Sequence, residues 1–277
     1  MYEFPFELDD FQKEACECIT KGESVVVCAP TGAGKTVIAQ HAIHCALEQG
    51  KRVFYTTPLK ALSNQKYNDF SEKYGSDKVG LLTGDTSINR GAQIVVMTTE
   101  VFRNMLYGTN FGSVTDNLKD VKYVILDEVH YMNDEQRGTV WEESIIYCPT
   151  NVQLVALSAT VANADKLTDW INTVHSKTEL INTDFRPVPL RFYYFDSSQP
   201  HTLLPLLTPS GALNKKIKPE KKEFKRGKAV QKKNTVKDVV RNLHEQNMLP
   251  AIYFTFSRKK CDEQMEKCAS LCLITPK

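Results

Sequence analysis

Two apolar runs, Val25-Val26-Val27 and Val124-Ile125-Leu126, contain no alternating polar residue. A strand with one wet face alternates, whereas a strand covered on both faces does not, so these runs predict strands inside a layered fold. Similar β-rich runs occupy residues 24–28, 52–57, 94–98, 123–127, 153–158 and 178–183. Amphipathic stretches at 36–48, 61–73 and 164–174 lie between several of them. Strands alternating with helices predict a parallel, doubly wound α/β sheet, and such sheets bind ligands at the carboxyl ends of their strands.

The alternation gives way at residue 208. Between residues 215 and 233, ten Lys or Arg face two Glu, with few apolar side chains. A segment of that kind cannot bury enough surface to fold alone, which predicts a flexible basic linker over 208–234. Its charge suits a phosphate backbone, but a solvated basic loop is the safer reading. A helix at 235–246, a strand at 251–255 and a helix at 258–269 then predict the start of a second domain over 235–277, after a first domain over 1–207.

Composition narrows the class. A chain of 277 residues holds one full α/β domain and part of another. Its 42% hydrophobic and 25% charged residues are those of a globular protein. No run approaches the roughly 18 apolar residues of a membrane span, and Met1-Tyr2-Glu3-Phe4 has no secretory character. The expectation is an intracellular protein without a membrane partner, its compartment open. A net charge of +2 selects no nucleic-acid partner by itself. The eight cysteines show no C-x-x-C spacing, so neither a zinc site nor a disulfide framework is expected. His41 and His44 lie on one expected helix without further ligands and read as ordinary helix residues.

The chemistry begins where the first strand ends. Ala29-Pro30-Thr31-Gly32-Ala33-Gly34-Lys35-Thr36 follows that strand and opens a helix. Glycines let the backbone turn tightly and aim N–H groups at phosphate, and the helix N-terminus favours the anion. The segment Thr31, Gly32, Ala33, Gly34, Lys35 and Thr36 is therefore the expected cradle of a nucleoside triphosphate. Lys35 would reach its outer phosphates and Thr36 would ligate magnesium. Ala29 stands where the usual pattern has a glycine. A second strand ends in Asp127-Glu128-Val129-His130. Asp127 suits magnesium, Glu128 suits orientation and deprotonation of water, and His130 suits a link to the next motif.

In this order, the phosphate loop, Asp127-Glu128-Val129-His130 and Ser158-Ala159-Thr160 resemble the superfamily 2 helicases of the DEVH type. Phe6-Glu7-Leu8-Asp9-Asp10-Phe11-Gln12 and Phe185-Arg186-Pro187-Val188-Pro189-Leu190 narrow the resemblance to the superkiller-like DExH-box RNA helicases, with plastid and cyanobacterial members most similar. The resemblance implies a RecA-like first domain, with Phe6 stacking on adenine and Gln12 bonding its edge. It implies that Pro58, Leu59 and Lys60, then Gly84 and Asp85, then Thr98, Thr99 and Glu100, grip the backbone of single-stranded RNA with little sequence preference. A bland turn or helix start would explain the last two groups equally. Ser158 and Thr160 would couple hydrolysis to strand separation through His130. Phe254-Thr255-Phe256-Ser257-Arg258 resembles the first motif of a second RecA-like domain. The resemblance also implies ATP with magnesium, and protein partners in an RNA-processing or decay assembly.

The family's Gln/His-Arg-x-Gly-Arg-x-Gly-Arg segment does not occur in residues 1–277. Arginines of that kind contribute about 10³–10⁵ in rate in related systems. The expectation for these residues is nucleotide binding with poor turnover, as part of a longer protein. Three alternatives stay open at this stage: a DNA helicase of the same superfamily, a nucleotide-gated RNA-binding fragment and, with least support, a kinase or GTPase.

Overall fold

The computed structural model describes residues 4–108, 117–195, 203–217 and 235–273. It divides into two compact units, Met1–Val188 and Pro189–Lys277. The division falls inside the 185–190 run singled out above.

In the first unit, helix α1 (Asp10–Lys21) leads into β1 (Ser24–Cys28), α2 (Thr36–Glu48), β2 (Arg52–Thr57) and α3 (Lys60–Tyr74). Strands β3 (Val79–Leu82), β4 (Ser87–Ile88) and β5 (Ile94–Thr98) follow, then α4 (Thr99–Leu106) and β6 (Val121–Leu126). A 3₁₀ turn (Val129–Asn133), α5 (Thr139–Ile146), β7 (Gln153–Ser158), α6 (Ala164–Val174) and β8 (Thr178–Asn182) complete the unit. The eight strands form one sheet in the order β4-β3-β5-β2-β6-β7-β1-β8. Every pairing is parallel except β3 with β4. This is the doubly wound α/β architecture that the alternation predicts.

The unbroken apolar runs follow from this layering. Val25, Val27, Val53, Tyr55, Tyr123, Ile125, Val155 and Leu157 face one core, with Phe11, Ile19, Ile38 and Phe70 from α1, α2 and α3. Val26, Cys28, Phe54, Val124, Leu126, Leu154 and Ala156 face the other, with Phe102, Trp141 and Ile171 from α4, α5 and α6. Successive side chains point to opposite faces of a strand, so a strand covered on both sides needs an apolar residue at each position. Each fully buried aliphatic side chain contributes about 1.5–3 kcal/mol of transfer free energy. All eight cysteines are free, and burial pushes the Cys16 and Cys148 thiols up to about 12.

In the second unit, β9 (Tyr193–Phe195) pairs antiparallel with β10 (Leu203–Pro205), and α7 (Val236–Glu245) and α8 (Arg258–Cys268) pack together. Most of the basic stretch 208–234 lies outside the described residues. The strand expected at 251–255 is not formed. Its residues make no ladder, and Ile252 and Phe254 are 82% and 87% exposed. An Ile-Tyr-Phe run has high strand propensity, but propensity becomes a strand only against a partner edge.

Among the described residues, no helix is long and apolar enough to cross a membrane.

Candidate functional site

Three of the expected motifs end adjacent strands. The phosphate loop follows β1, Ser158 closes β7, and Asp127-Glu128 caps β6, with β7 lying between the other two. The sheet order alone therefore brings the triphosphate cradle and the acidic pair to one edge.

The phosphate loop turns through Gly32 and Gly34, at φ +85° and +88°. A Cβ on Gly34 would also lie 2.7 Å from Gln12 Nε2. Lys35 precedes the first residue of α2, and its Nζ donates to the carbonyls of Ala29 and Pro30 at 2.8 and 3.2 Å. Burial lowers the pKa of this ammonium, while Glu128 and then Asp127 raise it. Lys35 thus feels both carboxylates while its ammonium is held by the two loop carbonyls.

Asp127 is held at both oxygens. Its Oδ1 accepts the Glu128 N–H at 3.0 Å and its Oδ2 accepts the Tyr55 hydroxyl at 2.5 Å. Tyr55 is fully buried, and burial, with the Asp127 charge next, pushes its pKa well above the ordinary value, so the phenol stays a donor. Glu128 sits in the left-handed region at φ +56°. For a non-glycine residue that geometry costs about 1–2 kcal/mol. Lys66 closes the circuit: its Nζ donates to Thr36 Oγ1 at 3.4 Å and stands 6.0 Å from the centroid of the Tyr55 ring. Thr36, Lys66, Tyr55 and Asp127 therefore form a continuous bridge between the two motifs.

These residues fit a triphosphate with magnesium. One hydroxyl and one carboxylate make a sparse protein ligand set, and magnesium typically completes its octahedron with phosphate oxygens and water. Thr31, Gly32, Ala33 and Gly34 would supply the turn around the phosphates, and Lys35 would supply the counter-charge.

His130 follows on the 3₁₀ turn. Its Nδ1 accepts the Ala159 N–H at 3.2 Å. That backbone donor fixes the ring proton on Nε2, so the Glu128 oxygen 3.3 Å from Nδ1 is a close neighbour rather than an ion-pair partner. The link from the acidic box to Ser158-Ala159-Thr160 is thus made by the Ala159 backbone. The Ser158 hydroxyl is buried beside the Cys28 thiol with no other partner among the described residues, and Thr160 is exposed.

At the entrance to the fold, Phe6 is exposed and its ring lies 5.5 Å from that of Phe4. Gln12, expected to bond the adenine edge, lies beside the phosphate loop. Its Oε1 accepts the Asp9 N–H at 3.0 Å, and its Nε2 donates to Ala33 and Gly34 carbonyls at 3.4 and 3.3 Å. Gln12 belongs to the capping box of α1, and its buried amide is engaged within the chain, bracing the phosphate loop.

The remaining expected residues gather at the ends of β2, β3 and β5. Thr57 Oγ1 bonds Ser63 Oγ at 2.7 Å and the Leu59 carbonyl at 3.1 Å, shaping the Pro58-Leu59-Lys60 turn. Lys60 pairs with Asp85, whose pKa is lowered first by that bond and then by the Thr83 hydroxyl. Gly84 is exposed beside Asp85. Thr98 ends β5, and Thr99 Oγ1 donates to the Thr57 carbonyl at 3.2 Å. Glu100 is paired with Arg137. Tyr55, Lys66 and Arg137 escaped sequence reasoning, because each acts on a partner 30 or more residues away.

Residues 9–167 match the DEAD/DEAH box helicase family, well over half of the chain. The chain belongs to that family. Helicases of this family use ATP and bind nucleic acid. The chloroplastic DExH-box ATP-dependent RNA helicase DExH15 of Arabidopsis thaliana is 44% identical over 308 residues, covering 95% of this chain and 26% of that protein. The exosome RNA helicase MTR4 of Homo sapiens is 41% identical, covering 94% of this chain and 26% of its own length. This helicase chain therefore spans about a quarter of the length of these relatives. Among solved structures, the helicase Lhr of Mycobacterium smegmatis bound to single-stranded DNA and AMP-PNP superposes with a TM-score of 0.51. It is 26% identical and covers 62% of this chain and 25% of that one. The first unit is thus a RecA-like helicase fold.

Proposed function

We propose that this chain is the ATP-binding part of an ATP-dependent RNA helicase, acting on single-stranded RNA through backbone contacts. One observation supports the reading: Thr36, Lys66, Tyr55 and Asp127 lie in one chain of contacts between the phosphate loop and the acidic pair. In this reading Lys35 leaves the loop carbonyls for the outer phosphates, and Thr36 and Asp127 hold magnesium. Glu128, already in its left-handed turn, orients and deprotonates water. Phe6 offers a face for adenine and Gln12, beside the phosphate loop, bonds its edge. His130, through Ala159, relays the state of the cleft to Ser158 and Thr160. The domain plan is a RecA-like domain with its exit segment over 1–207, a basic linker over 208–234 and the start of a second RecA-like domain over 235–277.

The grip on RNA is assigned to the turns at Pro58-Leu59-Lys60 and Thr98-Thr99-Glu100, where α3 and α4 begin, and to Gly84-Asp85 between β3 and β4. Helix N-termini with free N–H groups hold phosphate without reading bases. The RNA helicase names of the relatives support RNA, and the exosome relative supports a partner assembly for RNA processing or decay. The test is ATP hydrolysis by the protein with and without single-stranded RNA. Stimulation is expected, and no response to any nucleic acid rules the reading out.

A second reading, DNA as substrate, is favoured by the Lhr complex with single-stranded DNA. RNA and DNA differ at the 2′-hydroxyl, so competition between strands of matched sequence separates them, DNA preference counting against RNA. A third reading holds that residues 1–277 bind RNA under nucleotide control without turnover, since they lack the arginine segment. Turnover by these residues at the rate of complete helicases contradicts it.

A further inference from the structure

Three adjacent strands, β5, β2 and β6, end side by side in the sheet. The turn after β6 carries the acidic pair, while those after β2 and β5 carry the backbone-gripping residues. One side chain spans all three. Arg137 lies beyond the 3₁₀ turn that follows β6, and its Nη2 donates to the Pro58 carbonyl after β2 at 2.7 Å and to the Glu100 carboxylate after β5.

The local chain is built to present this guanidinium. Asp134 Oδ1 accepts the N–H groups of Gln136 and Arg137, both at 3.0 Å, and the Asp134 carbonyl accepts the Gly138 N–H at 2.8 Å. A Cβ on Gly138 would come within 2.2 Å of the Met132 carbonyl oxygen, so only glycine permits the turn. The guanidinium carbon stands 5.8 Å from the centroid of the buried Trp141 ring. Arg137 and Glu100 are each about one-third exposed, so this pair sits at the rim of the site and not in the core.

Two consequences follow for a phosphate backbone laid over these turns. Glu100 stands in the first turn of α4, where an unpaired carboxylate would repel phosphate. Arg137 neutralises it. The Pro58 carbonyl, drawn onto the same Nη2, is held toward the interior side of its turn, which leaves the start of α3 to the anion.

Resting on the RNA-binding reading above, we propose that Arg137 is a positioning residue that locks the Pro58-Leu59-Lys60 and Thr98-Thr99-Glu100 turns to the segment following the acidic box, so that the grip on the strand and the nucleotide cleft move as one body. It touches neither RNA nor nucleotide and acts through Pro58 and Glu100.

The test uses residues 1–277 with a fluorescein-labelled single-stranded RNA, a non-hydrolysable ATP analogue with magnesium, and a fluorescent nucleotide for the second site. Arg137→Met weakens RNA binding roughly tenfold, about one decade of Kd, and leaves nucleotide affinity unchanged. Glu100→Gln added to Arg137→Met recovers part of the RNA affinity, because the exposed carboxylate is gone; simple loss of folding would not be repaired by removing a second partner. RNA affinity unchanged in Arg137→Met, or no recovery in the double variant, overturns the inference. Wild-type chain that binds no RNA at all fails the RNA-binding reading, and the inference falls with it; wild-type binding matched by Arg137→Met fails the inference alone.

Discussion

At the scale of single residues, the site rests on side chains with assigned partners, so substitutions there have separable effects. Lys35→Ala removes the only cation inside the phosphate loop and weakens nucleotide binding, read by titration of a fluorescent ATP analogue. Glu128→Gln keeps the shape of the side chain but removes the proposed base. On the proposed reading it preserves that binding and abolishes RNA-stimulated turnover, and unchanged turnover refutes the assignment of Glu128. Gly34→Ala acts through the backbone. At φ +88° an L-residue costs about 1–2 kcal/mol, and the new methyl meets a Gln12 amide that Asp9 pins in place. The melting temperature falls by roughly 2–4 °C per kcal/mol, with nucleotide affinity falling too; an unshifted melt shows the loop to be softer than drawn. What sequence reveals at this scale is uneven. Gly32, Gly34, Lys35 and Thr36 announce themselves because their roles are set by neighbours in the chain. Gln12 does not, since its capping role at Asp9 and its hold on Ala33 and Gly34 depend on α1 packing beside the loop. Arg137 is silent for the same reason: its partners lie 79 and 37 residues away.

At the scale of elements, α1 and α2 meet through a polar contact in an otherwise apolar face. Thr20 Oγ1 gives its proton to the Cys16 carbonyl at 2.8 Å, so it accepts from His41 Nε2 at 3.0 Å. That leaves Nδ1 as the unprotonated nitrogen, buried and without a hydrogen-bond partner among the described residues. A second proton there would be a buried donor with no acceptor, and burial accordingly lowers the His41 pKa below 6.5. His44 and His175 are lowered by the same first cause. The sign follows from proton counts. Above 6.5 neither state binds the proton, and stability is complete. As pH falls below 6.5 the unfolded chain takes it up and the folded one does not, so stability declines toward the folded pKa. Chemical denaturation midpoints should drop between about pH 7.5 and pH 5.5, and the drop should shrink in His41→Gln, which keeps a donor for Thr20. An equal drop in that variant removes His41 from the account. Element boundaries read from sequence follow the same logic of covering. β1, β2, β5 and β7 are legible as apolar runs because helices cover both sides of the sheet. β3 and β4 are not, since a four-residue strand containing Gly80 and a two-residue exposed one leave too short a pattern. The run at 251–255 shows the converse, a strand-like sequence without an edge to join.

At the scale of the molecule, the two units are unequal in what holds them. The first contains both cores of the eight-stranded sheet, together with the phosphate loop, the acidic pair and Tyr55. In the second, Val236 and Asn242 are the buried side chains among the described residues, while Ile252, Phe254 and Phe256 are exposed. Large apolar side chains left in water are unfavourable unless covered, and a short two-stranded ribbon is marginal alone. Residues 1–188 should therefore fold without the remainder. They should melt in one cooperative transition and bind a fluorescent ATP analogue as the whole chain does, because every residue assigned to the phosphates, the metal and the water lies within them. Residues 189–277 by themselves should bind a hydrophobic dye and show no sharp melt. Loss of nucleotide affinity on truncation at Val188 would mean that the second unit contributes to the cleft, and a broad melt would mean that it supports the sheet. Either result would contradict a nucleotide site whose whole geometry is set by the ends of β1, β2 and β6 in a sheet that is complete without it.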